Sequence, residues 1–138
     1  MLPFKTAFGF ENKIRMTPDG IDIYVVNSSG GDWSIGEWVV WSADMEAEEV
    51  GAAGDPAPFA VMGACVEAIT NGSSGWVRVF GRLEGASVVA GVTALQILTL
   101  GYNDGTEAQV HVDGADDYKC GMAMTAESGG TATVWIGH

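Results

Sequence analysis

Short apolar segments alternate with turn-forming residues along most of the chain. The segments are rich in Val, Ile, Trp and Thr, and Gly, Asn, Asp, Ser or Pro residues bound each of them. Many short strands separated by such turns are typical of all-β barrels and sandwiches. The pattern therefore predicts an all-β fold, namely a small single-domain β-barrel or a β-sandwich. The predicted strands lie in residues 21–26, 37–41, 76–80, 94–100, 108–112 and 131–136.

One segment has the composition of a helix instead. Residues 43–53, with the sequence ADMEAEEVGAA, are rich in Ala and Glu, which favour helix. The segment is short, and Gly51, Gly54 and Pro56 stop it, so a turn or a loop is an equal alternative. We therefore expect less than about a tenth of the residues in helix, against the usual third.

Two stretches of the chain follow the same outline. Residues 63–81 and 121–137 each begin and end with Gly, and a Gly/Ser-rich break precedes a short apolar run in both. Their lengths differ by an even number of residues, which keeps the alternating side chains of a strand on the same faces. We interpret them as parts of a duplicated hairpin unit, with halves at residues 35–85 and 92–138. Chance similarity between two hairpins is the alternative.

The segment EWVVW, residues 37–41, is apolar on both of its faces. Trp38 and Val40 share one face of a strand, and Val39 and Trp41 share the other. One of these faces can fill a core. The other must then meet a second layer, the N-terminal arm or a neighbouring subunit.

The segment WVRVF, residues 76–80, alternates in the same way. We expect Val77 and Val79 to point into the core. Trp76, Arg78 and Phe80 would then form an outward aromatic stripe around one cation.

The charge of the chain is unevenly distributed. The sequence holds 18 acidic and 6 basic residues, a net charge of −12. Residues 1–15 alone carry three basic residues and one acidic residue, a net +2, which leaves −14 on the remainder. We divide the chain into an N-terminal arm, residues 1–20, and a β domain, residues 21–138. A cationic, aromatic arm suits docking on an acidic surface. The alternative is that the arm folds back as an extra strand over the outer face of residues 76–80.

The composition argues against two classes of partner. Nucleic-acid binding needs clustered Lys and Arg, and an acidic chain is also repelled by anionic membranes. We therefore expect no nucleic-acid partner and no membrane partner, and no apolar run approaches transmembrane length. No secretory signal is visible, which favours synthesis in a reducing cytosol. Cys65 and Cys120 are accordingly predicted to be reduced and buried.

The sequence holds no recognisable catalytic motif. GxSxG, HExxH, P-loop and CxxC patterns are all missing. Asp113, Asp116 and Asp117 do not match the spacing of an EF-hand and are interpreted as a solvated acidic turn. We expect a protein that is not an enzyme, with no cofactor and no metal. Trp33 and Trp76 are the tryptophans that the pattern leaves accessible for stacking on a sugar.

From residue 35 to its end, the chain resembles the small decoration, or head-stabilising, proteins of tailed bacteriophages. In that family, a G..V.W segment precedes a small, acidic stretch and then a pattern D...G.A....GG...V.V.G, given once or twice. The resemblance rests on glycines and hydrophobic residues. The matching segments are IGEWVVW (35–41), DPAPFAVMGACVEAITNGSSGWVRVFGRLEG (55–85) and YKCGMAMTAESGGTATVWIG (118–137).

The resemblance implies a β-barrel or β-tulip-like body that binds the outside of an assembled capsid as a homotrimer and stabilises it. The partner would be the major capsid protein, and the chain would be made in the host cytoplasm and reside on the virion exterior. The alternative is a carbohydrate- or receptor-binding β module of a virion fibre or adhesin. The predicted capsid-binding residues are Phe4, Lys5, Phe8, Phe10, Lys13 and Arg15, and the predicted subunit-interface residues are Trp38, Trp41, Trp76 and Phe80.

Overall fold

β-Strands make up most of the part of the chain that the structure describes. The computed structural model describes residues 13–43, 45–49, 61–101, 107–110 and 117–137, and within these ranges it contains no helix. The predicted all-β barrel fold is therefore confirmed. The strands are β1 (Ile14–Thr17), β2 (Gly20–Asn27), β3 (Trp38–Ala43), β4 (Glu46–Glu49), β5 (Val61–Cys65), β6 (Ser74–Ser87), β7 (Ile97–Gly101), β8 (Gln109–Val110), β9 (Asp117–Ala123) and β10 (Thr131–Ile136).

The helix considered for residues 43–53 was a wrong prediction for the part of that segment that the structure describes. Residues 46–49 form β4, which pairs antiparallel with β3 and parallel with β2. Both edges of β4 are thus hydrogen-bonded to neighbouring strands. Helix propensity is a weak preference that such tertiary pairing readily overrides.

Five strands close into a barrel. Their order is β2, β4, β3, β5 and β6, and the ring closes because β2 also pairs with β6. The pair β2–β4 is parallel, whereas the other pairs of the ring are antiparallel. Each of these five strands is therefore paired with a neighbour on both sides.

A second set of strands continues from the same long strand. β6 spans residues 74–87, and its second half pairs with β10, followed in order by β9, β7 and β8. Val88, directly after β6, forms a parallel bridge to Ala108, directly before β8. The last strand of the second set, β8, therefore lies next to the end of β6, where this set of strands starts.

The two sets repeat the same pairing pattern. Three features recur at equivalent places in both sets: an antiparallel pair with a β-bulge directly after it, a parallel pair and a backbone hydrogen bond in a turn. We name residues 20–80 the first unit and residues 81–137 the second unit; both begin earlier than the halves predicted from the sequence. The equivalent pairs are Val39–Gly63 and Leu98–Gly121, Asn27–Ala47 and Val88–Ala108, and Gly36–Cys65 and Leu95–Ala123.

Each unit contributes one cluster of buried apolar side chains. The first cluster includes Val39 and Val77, and the second includes their equivalents Leu98 and Val134. The second cluster also takes in Trp38 from the first unit. The outer face of β3 is thus covered by the second unit, which is the second layer that the EWVVW pattern required.

The outward stripe predicted for WVRVF is wrong in one member. Ile21 pairs with Phe80 and Asp22 with Arg78, so Val79 is the extra residue of a β-bulge. Phe80 is exposed, whereas Arg78 is buried. The cation that lies among the aromatic side chains is instead Arg15.

The described part of the predicted arm belongs to the sheet. Residues 14–17 form β1, which pairs antiparallel with β2. This agrees with the alternative in which the arm adds a strand. β1 extends the sheet beyond β2, and within residues 76–80 its Arg15 guanidinium lies over the Trp76 ring. Phe4, Lys5, Phe8 and Phe10 lie outside the described residues.

Candidate interaction surface

A row of cross-strand neighbours runs along the outside of the second unit. Ile97 pairs with Met122, Met122 with Trp135, and Trp135 with Arg82. Directly paired residues point to the same face of a sheet, so these four side chains lie side by side. We call this row the second ladder. Ile97 is 47% exposed and Trp135 is 42% exposed.

Other exposed apolar side chains extend the second ladder at both ends. Leu95 donates its backbone N–H to Ala123 O at 2.7 Å, which places it beside Met124. At the other end, the Phe80 ring packs against Trp135 edge to face, with 5.5 Å between centroids. We call the whole surface the apolar band, and its members are Met16, Phe80, Leu95, Ile97, Met122, Met124 and Trp135.

A groove lies at the Phe80 end of the apolar band. It has a volume of about 350 Å³ and lies between the β1–β2 turn, β6 and β10. Met16, Phe80 and Trp135 supply its apolar walls, and Asp19 and Arg82 supply charged groups. The Arg82 guanidinium is held 2.6 Å from a Glu84 carboxylate oxygen and 3.9 Å from Asp19.

The first unit has the equivalent row, but there it is buried. Trp38 pairs with Ala64, Ala64 with Arg78, and Arg78 with Asp22. We call this row the first ladder. All four side chains are buried, and Trp38 and Asp22 are completely so.

The second unit covers part of the first ladder. Trp38 Nε1 donates a hydrogen bond of 2.9 Å to Ser87 O, and Ser87 N donates one of 2.9 Å to Gly36 O. A Cβ atom on Gly36 would overlap Gly85 O, so this close approach requires glycine. The two units are therefore in direct backbone contact at this point.

The charged end of the first ladder is a compact ion cluster. Asp22 accepts hydrogen bonds from Arg78 Nε at 2.5 Å and from Arg15 Nε at 2.9 Å. The Arg15 guanidinium also lies 4.3 Å from the centre of the Trp76 ring, which is a cation–π contact. Tyr24 packs against the other side of this arrangement, 5.0 Å from Trp76. Arg15 is thus engaged within its own chain.

The remaining residues predicted for capsid binding and the subunit interface lie in different places. Lys13 is exposed at the start of the described chain. Trp76 is half-buried, and Phe80 is exposed in the groove. Trp41 is half-buried and packs on the core cluster of the first unit.

Two predicted tryptophans must be reassigned. Trp38 is fully buried within its own chain, so it belongs to the core and not to a subunit interface. Trp33 is also buried, and its Nε1 donates to Ser29 Oγ at 3.0 Å. Trp33 is therefore not an accessible platform for a sugar.

Most of the apolar band was missed by sequence reasoning. Leu95, Ile97 and Met122 lie in segments that read as ordinary strand and turn. Alignment of Gly63 with Gly121 places Gln96 at the position of Trp38, and a gap of one residue is needed to bring Ile97 there. It would not have revealed that one position is covered and the other is exposed.

The described residues contain no cluster of three or more His, Cys, Asp or Glu side chains that could hold a metal ion. Among the same residues, no helix is long and apolar enough to cross a membrane.

Fold and surface together define a class, namely a small all-β domain of two barrel-like units with an exposed apolar band on the second unit. No protein-family model matches the chain, and no curated protein matches it. The function must therefore be inferred from the surface and from the sequence pattern.

Proposed function

We propose that this protein is a non-enzymatic virion component that binds the outer surface of a bacteriophage capsid and stabilises it. Its partner is the major capsid protein, and it acts as a homotrimer. Support comes from the pattern of residues 35–41, 55–85 and 118–137, which resembles capsid decoration proteins.

The observation that carries this proposal is the apolar band. Leu95, Ile97, Phe80 and Trp135 are large apolar side chains that remain well exposed on one side of the molecule. Contiguous exposed apolar surface marks sites of protein interaction. A protein that acts by docking needs such a surface, whereas an acidic exterior elsewhere keeps it soluble before assembly.

Capsid attachment is assigned to the N-terminal residues. Residues 1–15 are net positive on an otherwise acidic chain, and Phe4, Phe8 and Phe10 supply apolar side chains there. Each phenylalanine contributes about 1.5–3 kcal/mol if it becomes fully buried on docking. Lys5 and Lys13 then select an acidic site. Arg15 is better assigned to the fold itself, because it pairs with Asp22.

Stabilisation of the capsid follows from mass action. A protein that binds only the mature shell stabilises that shell by its free energy of binding. Many equivalent sites multiply a modest energy per site across the particle.

Capsid binding can be tested with particles from the genome that encodes this chain. We expect the protein to be present in purified particles and to co-sediment with particles that lack it. Deletion of residues 1–12, which precede β1, should abolish co-sedimentation without changing the thermal unfolding midpoint. The substitution Glu84→Gln, in an exposed ion pair outside residues 1–12, serves as the control. Absence from particles, together with no co-sedimentation, would reject the proposal.

A second candidate function is carbohydrate binding, and the groove favours it. Phe80 and Trp135 expose aromatic surface there beside the polar groups of Asp19 and Arg82. Aromatic faces beside charged hydrogen-bonding groups suit a sugar ring. A glycan array with the wild-type protein and Trp135→Ala tests it: binding that is lost in the variant supports this function, and no binding rejects it.

A further inference from the structure

The ion cluster of the first unit holds more positive than negative charge. Arg15 and Arg78 both donate to the carboxylate of Asp22. Lys13 lies two residues before Arg15, and its carbonyl oxygen accepts a hydrogen bond of 2.8 Å from Tyr24 N, which continues the pairing of β1 with β2. The Lys13 side chain therefore lies on the same face of the sheet as that of Arg15. The cluster thus contains three cations and one carboxylate, on a chain whose net charge is −12.

A second carboxylate borders the cluster without balancing it. Glu67 Oε1 accepts a hydrogen bond of 2.8 Å from Trp76 N. Within the part of the chain that the structure describes, no salt bridge joins Glu67 to a cation. Even with Glu67 counted, three cations stand against two carboxylates. This face is therefore locally positive on an otherwise acidic protein.

Arg15 is held firmly in place, but only part of its guanidinium is used. Its side chain donates from Nε to Asp22 at 2.9 Å, and the guanidinium lies 4.3 Å from the centre of the Trp76 ring. The terminal nitrogens make no hydrogen bond to any described residue, and the side chain is 35% exposed. Their N–H groups can therefore serve an acceptor from outside the chain. Because the guanidinium is already ordered, binding such an acceptor costs little conformational entropy.

Aromatic surface lies directly beside these donors. The rings of Tyr24 and Trp76 pack 5.0 Å apart, and Tyr24 is 37% exposed. Tyr24 and Trp76 are directly paired across β2 and β6, so that both rings lie on the face that carries Arg15. The face thus combines cationic donors with apolar surface, which suits a peptide more than a simple inorganic anion.

We propose that the face formed by Lys13, Arg15, Tyr24 and Trp76 is a binding site for an acidic peptide segment, and that the major capsid protein supplies this segment. One carboxylate of the segment accepts hydrogen bonds from the terminal nitrogens of Arg15, whose planar fork matches a carboxylate. A second carboxylate lies near Lys13, and a neighbouring side chain of the segment packs on the two rings. The source of the segment rests on the proposed function, whereas the chemistry of the site does not.

Charge complementarity selects this occupant. An acidic segment is attracted to this face and repelled by the acidic remainder of the surface, which fixes where it binds. Nucleic acids and anionic membranes need a wide cationic surface, and the acidic remainder of the chain repels both. The site is small, so that retention on the particle still depends on residues 1–12. What the site adds is the choice of an acidic partner.

The chemistry of the site is tested on the free, full-length protein with a fluorescently labelled poly-glutamate peptide. Fluorescence anisotropy should show binding that weakens as salt is added, and a poly-glutamine peptide should not bind. Arg15→Gln should raise the Kd by about 10-fold or more, because hydrogen bonds between charged groups are lost. Lys13→Gln should raise it by about 2- to 5-fold. Lys119→Gln is the matched control, because Lys119 is an exposed cation of the second unit, and it should leave the Kd unchanged.

Two of the variants keep the test valid if Arg15→Gln fails to fold. Lys13→Gln changes an exposed side chain, and Arg15→Lys keeps the charge while losing the planar fork, so that its Kd should lie between those of the wild type and Arg15→Gln. A wild-type protein that does not bind poly-glutamate would overturn the proposal. So would equal Kd values for Lys13→Gln, Arg15→Lys and Lys119→Gln.

Co-sedimentation with capsids tests the source of the segment. Lys13→Gln should occupy fewer capsid sites than the wild type or Lys119→Gln at the same subsaturating concentration. Equal occupancy by all three would overturn the assignment to the capsid protein and leave the proposed function standing. A wild-type protein that does not co-sediment at all would reject the proposed function instead, and the peptide titration would then decide the chemistry of the site by itself.

Discussion

The two units place different residues on equivalent rows of their sheets. In the first ladder, Trp38 and its neighbours are buried between the units, whereas Ile97 at the equivalent position is about half exposed. The backbone pairing is the same in both units. What differs is whether another part of the chain lies over the row.

Equivalent positions in the two units therefore serve different purposes, depending on which residues occupy them. Where the second unit covers the first, Gly36 permits backbone contact and Trp38 fills the space. Where nothing in the described chain covers the second unit, a leucine projects from the position of that glycine. The first ladder is therefore a structural joint, and the second is a surface available for a partner.

The largest difference in stability between the two ladders is expected when the first residue of each ladder is replaced by alanine. Trp38→Ala removes a fully buried indole and should lower the free energy of unfolding by about 3–5 kcal/mol. Ile97→Ala, its equivalent, should cost less than about 1 kcal/mol in the monomer. Urea denaturation of both variants at low protein concentration measures the two values. Equal costs would mean that Ile97 is as deeply packed as Trp38.

The next largest effect concerns the charged ends of the two ladders. Asp22→Asn removes the charge that compensates Arg78, which is itself buried. Loss of one partner from a buried ion pair lowers the free energy of unfolding by about 3–5 kcal/mol. Arg15 cannot compensate for this loss, because Asp22 is its partner as well. Glu84→Gln, beside Arg82, breaks a pair whose side chains are 45% and 69% exposed and should cost at most about 1 kcal/mol. Thermal and urea unfolding of both variants provide the measurement. A similar cost for both would contradict the difference in burial.

The sequence was sufficient to predict the fold class because strand-forming segments and turn residues recur throughout it. The repeat was also visible, since the strand glycines Gly63 and Gly121 hold equivalent places. The first strand of each unit was left out of the predicted halves. Residues 21–26 were predicted as a strand but not as part of the repeat, and the second half of β6 was not separated from the first because no turn lies between them. Neither the bulge at Val79 nor the burial of Arg78 could be predicted, because both depend on partners distant in sequence.

A smaller difference between the two units lies in how their stability depends on pH. It arises from Cys65, whose equivalent in the second unit is Ala123. Burial, with the nearby Glu37 and Glu67 carboxylates adding to it, raises the pKa of the Cys65 thiol from 9.0 to about 12. Below pH 9 the thiol is protonated in both states. Above it, the unfolded chain ionises and the folded chain does not, so stability falls by about 1.4 kcal/mol per pH unit between pH 9 and 12.

Comparison of the wild type with Cys65→Ala isolates this effect from other alkaline titrations. At pH 10, the wild type should have lost about 1 kcal/mol more than the variant, relative to pH 8. Urea denaturation at the two pH values measures the loss. Equal losses of stability in the wild type and the variant would show that the Cys65 thiol does not ionise between pH 8 and pH 10.

The smallest expected effect tests the backbone of the two equivalent turns. Leu95→Gly gives the second unit the residue that the first unit uses at Gly36, and relieves a left-handed conformation that costs an L-residue about 1–2 kcal/mol. The greater freedom of glycine in the unfolded chain returns about 0.5–1 kcal/mol of that gain. The monomer should therefore become more stable by about 0.5–1 kcal/mol, although a large apolar side chain has been removed. Gln96→Gly is the control, because that neighbour has no left-handed backbone to relieve, and it should be destabilising. Urea denaturation at concentrations where the protein is monomeric gives both values. A stability loss in Leu95→Gly similar to that of the control would show that Leu95 is packed within the chain, and the contrast between the two turns would then disappear.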